Sequence, residues 1–320
     1  MELNIFTTCR LHKGITMNKI TTKNWMSSLN GNITLDKISI PGTHDSGTAK
    51  TDKGAAHTQN FGIATQLNDG IRFLDIRVVY DGTQQKDPLR IYHGIISCKL
   101  SFGNVLDSCM TFFAENPQET IVMLMNSASG TADNIQQGFT VYTEQERYKS
   151  LFYLNENLAP LSELRGKIVL FRRFSGKSLG INLSGGWKDN RTFTLVTPQN
   201  QTFKIEDQYK QHDTHKKLAA VEELIGTAMQ TPDDGIIYIT YNSIAQGTHT
   251  PYQYAWGGGF GPVNPKMNPG LNDFLNRQQK NAELGIIMLD FYNNEKGNID
   301  NRLVECIINS NKSTGGTVLT

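Results

Sequence analysis

His44 and Asp45 stand side by side in the segment Ser39-Ile40-Pro41-Gly42-Thr43-His44-Asp45-Ser46-Gly47. Pro41-Gly42 reads as a turn that ends a short apolar run just ahead of them. Asp75 and Arg77 follow in Phe73-Leu74-Asp75-Ile76-Arg77-Val78-Val79-Tyr80. There a strand's period of two puts the two charges on one face, with Leu74, Ile76, Val78 and Tyr80 on the other. Charges on an inner strand face are costly unless paired, so this pair needs a reason. A second histidine, His93, follows Ile91-Tyr92, and Ile286-Ile287-Met288-Leu289 ends on the carboxylate Asp290.

The chemistry open to such a set follows from its parts. Two imidazoles can serve as general base and general acid near neutral pH. Arg77 supplies a fixed cation whose fork matches a phosphate. Carboxylates beside the histidines would fix their tautomers and stabilise an imidazolium. Together they suit metal-free cleavage of a phosphodiester, with a neighbouring hydroxyl of the substrate as nucleophile. The competing chemistry is metal-assisted hydrolysis at a His–Asp–Asp–His set. A guanidinium two residues from Asp75 on the same face would repel a cation and can replace it, which favours the metal-free form. Taken singly, each residue also has an ordinary use: a structural ion pair for Asp75 and Arg77, half-buried histidines, a helix cap or turn for Asp290. Their recurrence at the ends of apolar runs points to one assembled site.

Elements able to bring these ends together can be read from the pattern. Strands are expected at 38–40, 73–79, 90–93, 120–125, 168–171, 193–196, 236–241 and 285–290. Helices are expected at about 62–69, 101–115, 144–152, 207–230, 268–280 and 300–310. Strands alternating with helices fit a (β/α) barrel or a doubly wound sheet, and spacing alone leaves both open. No linker divides the chain, so one domain is expected over 22–320. Residues 1–21 read as an N-terminal extension, with Met17 an alternative start.

Composition narrows the partners. Lys and Arg number 31 against 30 Asp and Glu, a net charge of +1, so no bulk attraction to nucleic acid or anionic lipid is expected. No apolar run approaches the roughly 18 residues of a spanning helix. Residues 1–16 lack the apolar core of a secretory signal. Cys9, Cys98, Cys109 and Cys306 have no zinc spacing and read as thiols, the buried kind above disulfides.

The motif 38–47, then Asp75-Ile76-Arg77 and His93-Gly94, resemble the bacterial phosphatidylinositol-specific phospholipases C. Asn116-Pro117, Gly166-Lys167-Ile168-Val169-Leu170, Arg173-Phe174-Ser175-Gly176, Asp207-Gln208-Tyr209-Lys210 and Asp290 extend the likeness over about 22–312. The resemblance implies an α/β fold, an irregular (β/α)8 TIM-type barrel. It implies cleavage of phosphatidylinositol to diacylglycerol and inositol 1,2-cyclic phosphate, with slow hydrolysis of the cyclic product and no metal or other cofactor. By position, His44 would be the base, oriented by Asp290. His93 would be the acid, with Asp45 as its carboxylate, and Arg77 would hold the phosphate, fixed by Asp75. Arg173, Asp207 and Tyr209 would contact the inositol ring. Asn126 stands where relatives carry a lysine, which puts substrate contacts in question more than the reaction. Tyr252, Tyr254, Trp256 and Phe260, in a Gly-rich loop, are expected at a lipid interface. The resemblance also implies secretion and transient membrane contact; a monomer is expected. Two alternatives stay open: a weakly active phosphoinositide-binding barrel, and cleavage of glycosylated phosphatidylinositol anchors.

Overall fold

The computed structural model describes residues 21–52, 54–128, 134–259, 261–278, 282–294 and 302–311. Among the described residues twelve strands form one curled sheet: β1 Ile40–Thr43, β2 Phe73–Tyr80, β3 Leu89–His93, β4 Ile96–Ser101, β5 Ile121–Ser127, β6 Phe152–Tyr153, β7 Ile168–Arg172, β8 Ile181–Asn182, β9 Thr192–Val196, β10 Thr202–Glu206, β11 Ile237–Asn242 and β12 Ile286–Leu289. The helices are α1 Ile63–Asn68, α2 Phe102–Glu115, α3 Ile135–Glu144, α4 Leu161–Leu164, α5 Thr214–Gln230, α6 Pro251–Trp256, α7 Met267–Asn276 and α8 Arg302–Asn309.

The wall of the barrel is parallel and runs β7-β5-β2-β1-β12-β11-β10. Two short strands, β6 and β8, share the remaining edge of β7, one along its start and one along its end. The other end of the wall carries the antiparallel β9. No ladder among the described residues joins these two edges, so the barrel is irregular and open there. Side chains bridge the gap instead: the Phe171 ring meets Phe203 edge-on at 5.5 Å and Phe73 at 6.0 Å. These three buried aromatics form an apolar floor inside the barrel. Phe73 shares its strand face with Asp75 and Arg77, so the charges sit directly above that floor.

Several expectations move. Pro41-Gly42 does not form a turn; both lie within β1. The Pro41 carbonyl accepts from Arg72 N–H at 2.9 Å, which ties β1 to the start of β2. Gly42 is required by crowding: a Cβ would lie 2.6 Å from Met288 Sδ and 2.9 Å from Phe73 Cβ. The helix expected over 144–152 lies earlier, at α3, whose buried stripe is Ile135, Gly138, Phe139 and Tyr142. Phe152 instead enters β6 beside Ile168. The helix expected from 207 begins at Thr214, after β10 and a loop, where Asp213 caps it by accepting from His215 and Lys216 N–H. The hairpin strand β4 and strand β10 were not expected. Cys98 and Cys109 are buried thiols, and burial pushes Cys98 up to about 12.

Candidate active site

Beyond β1 the chain turns sharply through Asp45, whose φ of +45° is a region that aspartate tolerates better than most residues. Buried bonds lock this turn to its neighbours. Ser46 N–H donates to Asp75 O, and Ser46 Oγ accepts from Asp75 N–H, each at 2.9 Å. Gln59 Nε2 donates to both His44 O and Leu289 O at 2.8 Å. The turn is therefore tied to β2 on one side and β12 on the other. Those ties bring Asp75, Arg77 and Asp290 to His44.

His44 is buried, and its two nitrogens face unlike partners. Nδ1 lies 2.8 Å from Asp290 Oδ1, an acceptor, so it carries the proton. Nε2 lies 3.0 Å from Arg77 Nη2, a donor, and 3.2 Å from Asp45 Oδ2. Only the neutral imidazole, with its lone pair at Nε2, can accept from Arg77; the imidazolium presents Nε2–H to Asp45 Oδ2 instead. Burial works against the imidazolium, but the charges of Asp45 and Asp290 outweigh it and raise the His44 pKa to about 9.

Asp45 is the hub. Its Oδ1 lies 2.6 Å from Arg77 Nε, and its Oδ2 lies 3.2 Å from His44 Nε2 and 3.5 Å from His93 Nε2. Burial opposes its charge, yet Arg77 and the two histidines hold the carboxyl below the usual range. The resemblance implied Asp75 as the anchor of Arg77. The structure gives the closer contact to Asp45, with Asp75 Oδ2 at 3.8 Å from Nη2. The reason is the φ +45° turn, which swings the Asp45 carboxylate over the strand face that carries Arg77. His93, at the end of β3, is half-buried; its Nδ1 faces Ala56 O at 3.1 Å. Both its nitrogens thus face acceptors, the arrangement needed by an acid that gives up a proton from Nε2.

Above this cluster lies a cavity of about 410 Å³, lined by His44, Arg77, His93, Asn126, Arg173 and Asp207, among others. Tyr209 also lines it, and its hydroxyl donates to Asp189 Oδ1 at 2.6 Å. Arg173 stacks its guanidinium 3.8 Å above the Trp187 ring, and Trp187 Nε1 donates to Asp207 Oδ2 at 2.9 Å. Burial raises the Asp207 pKa, against the pull of Trp187 and Arg173. Asn126 pairs with Arg77 across β2 and β5, and its Oδ1 accepts from Ser127 N–H at 2.9 Å. One group of possible metal ligands, His44, Asp45 and Asp75, has ligand atoms within 4.8 Å of one another among the described residues. Arg77 is in contact with all three side chains, which places a cation there already.

Residues 32–174 match the family model for the phosphatidylinositol-specific phospholipase C X domain. A 1-phosphatidylinositol phosphodiesterase of Staphylococcus aureus is 32% identical over 310 residues, covering 91% of this chain and 94% of that relative. This chain belongs to the phosphatidylinositol-specific phospholipase C family. The Listeria monocytogenes member is also 32% identical, with 92% and 87% covered. Among solved members, a crystal structure of the Staphylococcus aureus phospholipase C matches with a TM-score of 0.80 at 28% identity, covering 91% of this chain and 98% of that one. The Listeria monocytogenes structure matches at 0.69 and 26%, covering 92% and 100%. Another Staphylococcus aureus structure concerns modulation of that enzyme's membrane binding.

The phospholipase C barrel also brings to the site residues that sequence reasoning missed. Trp187 and Asp189 come from the loop between β8 and β9 and line the cavity. Tyr241, on β11, is buried with its ring centre 5.9 Å from that of His44 and nearly perpendicular to it, and its hydroxyl has no hydrogen-bond partner. Burial, then the charges of Asp75 and Asp207, push its pKa well up. A strand period of two on 237–242 could have flagged Tyr241; nothing local flags the two loop residues. The aromatic segment differs from expectation. It is helix α6, capped by Thr250, and not a loop; the Gly-rich stretch begins only at Gly257. Tyr254 is 3% exposed, which removes it from any lipid-facing set. Trp256 is half-buried and donates Nε1–H to Phe291 O at 2.6 Å. Tyr252 is half-buried, edge-on to the Phe291 ring at 5.1 Å. Phe260 lies outside the described residues.

Proposed function

We propose that this chain cleaves phosphatidylinositol to diacylglycerol and inositol 1,2-cyclic phosphate by acid–base catalysis without a metal, then opens the cyclic product slowly. The carrying observation is one carboxylate, Asp45, shared by both histidines and by Arg77 at the mouth of a polar cavity. His44 Nε2 takes the proton of the inositol 2-hydroxyl, and Asp290 at Nδ1 holds the ring and the charge it gains. The 2-oxygen attacks phosphorus. His93 Nε2 gives its proton to the departing glycerol oxygen. Arg77 neutralises charge on the non-bridging oxygens throughout, and Asp75 helps to hold it. The second half runs the same protons backward, with water attacking the cyclic phosphate.

Arg173, Asp207, Tyr209 and Asn126 are proposed to meet the inositol ring, with Trp187 and Asp189 beside them. Their hydroxyl-matching groups surround the same cavity. Asn126 offers a neutral amide in place of a lysine's charge, which lowers the attraction for further anionic groups on the ring.

No described helix is long and apolar enough to cross a membrane. Secretion, action as a single barrel over 22–320, and brief contact with lipid through Tyr252 and Trp256 complete the reading. Its test is incubation with phosphatidylinositol vesicles in EDTA, followed by phosphorus NMR. The cyclic phosphate should appear first and the acyclic one later. Loss of all turnover in EDTA, or direct appearance of the acyclic phosphate, would refute it.

A further inference from the structure

Among the described residues, large apolar side chains stand exposed at three positions: Ile95, Ile96 and Val196. Val196 pairs with Thr202 at the start of β10, on the N-terminal face of the barrel, away from the reaction. Ile95 and Ile96 adjoin each other at the turn between β3 and β4, directly after His93 and Gly94. Ile95 is 92% exposed and Ile96 47%. Gly94, with φ of +56°, makes the turn and lines the cavity together with His93. A turn shaped for its own stability in water carries Asn, Asp, Ser or Gly; two isoleucines there expose apolar surface at a cost.

We infer that the Ile95–Ile96 tip inserts into an anionic bilayer and meets the acyl half of the substrate where it leaves His93. The inference rests on the reaction proposed above, in which His93 protonates the glycerol oxygen. The diacylglycerol half must then depart past His93, and the cavity itself offers Ala128 and Ala245 as its aliphatic lining. The next apolar surface along the chain is the tip. Charge at the tip is weakly positive among the described residues: Lys99 on β4 pairs with the exposed Asp52 at 3.5 Å, and Lys50, on the short helical turn Thr48–Lys50 packed beside β4, is exposed and adds a further cation. Cations at the surface favour anionic headgroups. The tip is also continuous with the rim that carries α6. His93 Nδ1 meets Ala56 O, His57 stacks on Phe291 at 5.4 Å, and Phe291 meets Tyr252. A chain of contacts thus links the base of the tip to α6.

The test uses the full chain, an Ile95→Ser/Ile96→Ser variant and an Ile95→Trp variant. Binding is read by co-sedimentation with phosphatidylglycerol–phosphatidylcholine vesicles, which the reaction cannot consume. Turnover is read on phosphatidylinositol vesicles and on soluble inositol 1,2-cyclic phosphate. The double variant should bind vesicles about tenfold or more weakly, and cleave phosphatidylinositol vesicles correspondingly more slowly. It should hydrolyse the soluble cyclic phosphate at the wild-type rate, and Ile95→Trp should bind vesicles more tightly. Unchanged vesicle binding in the double variant overturns the inference. So does an equal loss on both substrates, or a wild-type dimer that the substitutions dissolve while vesicle binding stays the same. Failure of the wild type itself on phosphatidylinositol would overturn the reaction instead, and the sedimentation arm would still read the tip.

Discussion

Two regions of this barrel bury charge, and they treat it in opposite ways. Arg72 and Glu119, fully buried, meet at 2.8 Å on the N-terminal side. Every polar edge there is filled: the guanidinium donates to the carbonyls of Leu67, Ile71, Thr22 and Lys23, and the carboxylate accepts from Met26 and Ser27 N–H. Burial, the largest influence on both, lowers the Arg72 pKa and raises that of Glu119, and their mutual attraction offsets it. At the C-terminal strand ends, by contrast, Asp45 Oδ2, Asp75 Oδ1 and Asp290 Oδ2 are buried without a hydrogen-bond partner, though charged neighbours surround them. A saturated pair staples the N-terminal segment to the barrel. An under-bonded cluster keeps its capacity for hydrogen bonds and protons, at a cost in stability that a purely structural site would not carry.

The comparison can be broken in order of effect. His44→Ala should cut turnover of phosphatidylinositol by about 10³- to 10⁴-fold while the protein still unfolds cooperatively; stopped assays beside a thermal melt decide it. Glu119→Gln should do the reverse, leaving Arg72 buried and unpaired. It should cost about 3–5 kcal/mol of stability by denaturant unfolding, with the rate per folded molecule near wild type. If Glu119→Gln abolishes turnover in fully folded protein, the division between the two regions fails.

Smaller effects sharpen it. In the free enzyme the limb of the kcat/KM profile set by His44, which must lose its proton to act as base, should titrate well above the ordinary imidazole range, because His44 is raised to about 9. Asp290→Asn removes one of the two anions responsible, so that limb should move to lower pH by one unit or more while the maximal rate falls. A profile unmoved by Asp290→Asn would show that the carboxylate does not control the base. The same shift has a stability sign. A histidine whose folded pKa exceeds its unfolded value near 6.5 stabilises the fold fully below about 6.5, and that contribution is lost as pH rises through about 9. Wild-type stability should therefore fall across that window more than that of His44→Ala, as followed by urea midpoints at several pH values.

Much of the site was legible because catalysis left charges where a strand pattern demands apolar residues. Asp75 and Arg77 stand out by period alone, and Asp290 stands out at the end of an apolar run. Loop residues carry no such contrast, so Trp187 and Asp189 were invisible until the chain between β8 and β9 was placed over the cavity. The aromatic segment misled for a related reason. Tyr254 and Trp256 fit a wet rim by composition, yet the Thr250 cap and Pro251 start a helix that turns Tyr254 inward. Nothing local marked Ile95–Ile96, just beyond the strand expected at 90–93, as apolar residues that face water.

By itself the sequence determined the parts: two histidines, a guanidinium, their carboxylates and the strands that end on them, since residue type and a period of two are local properties. It also determined that no bulk charge would hold the protein to a membrane. Tertiary structure alone decided the pairing. Asp45 serves Arg77 and both histidines because a φ +45° turn, tied to β2 and β12, swings its carboxylate across strands far apart in sequence. Which hydrophobic residues meet water was likewise decided by packing, because burial is settled by what lands on a side chain and not by its kind.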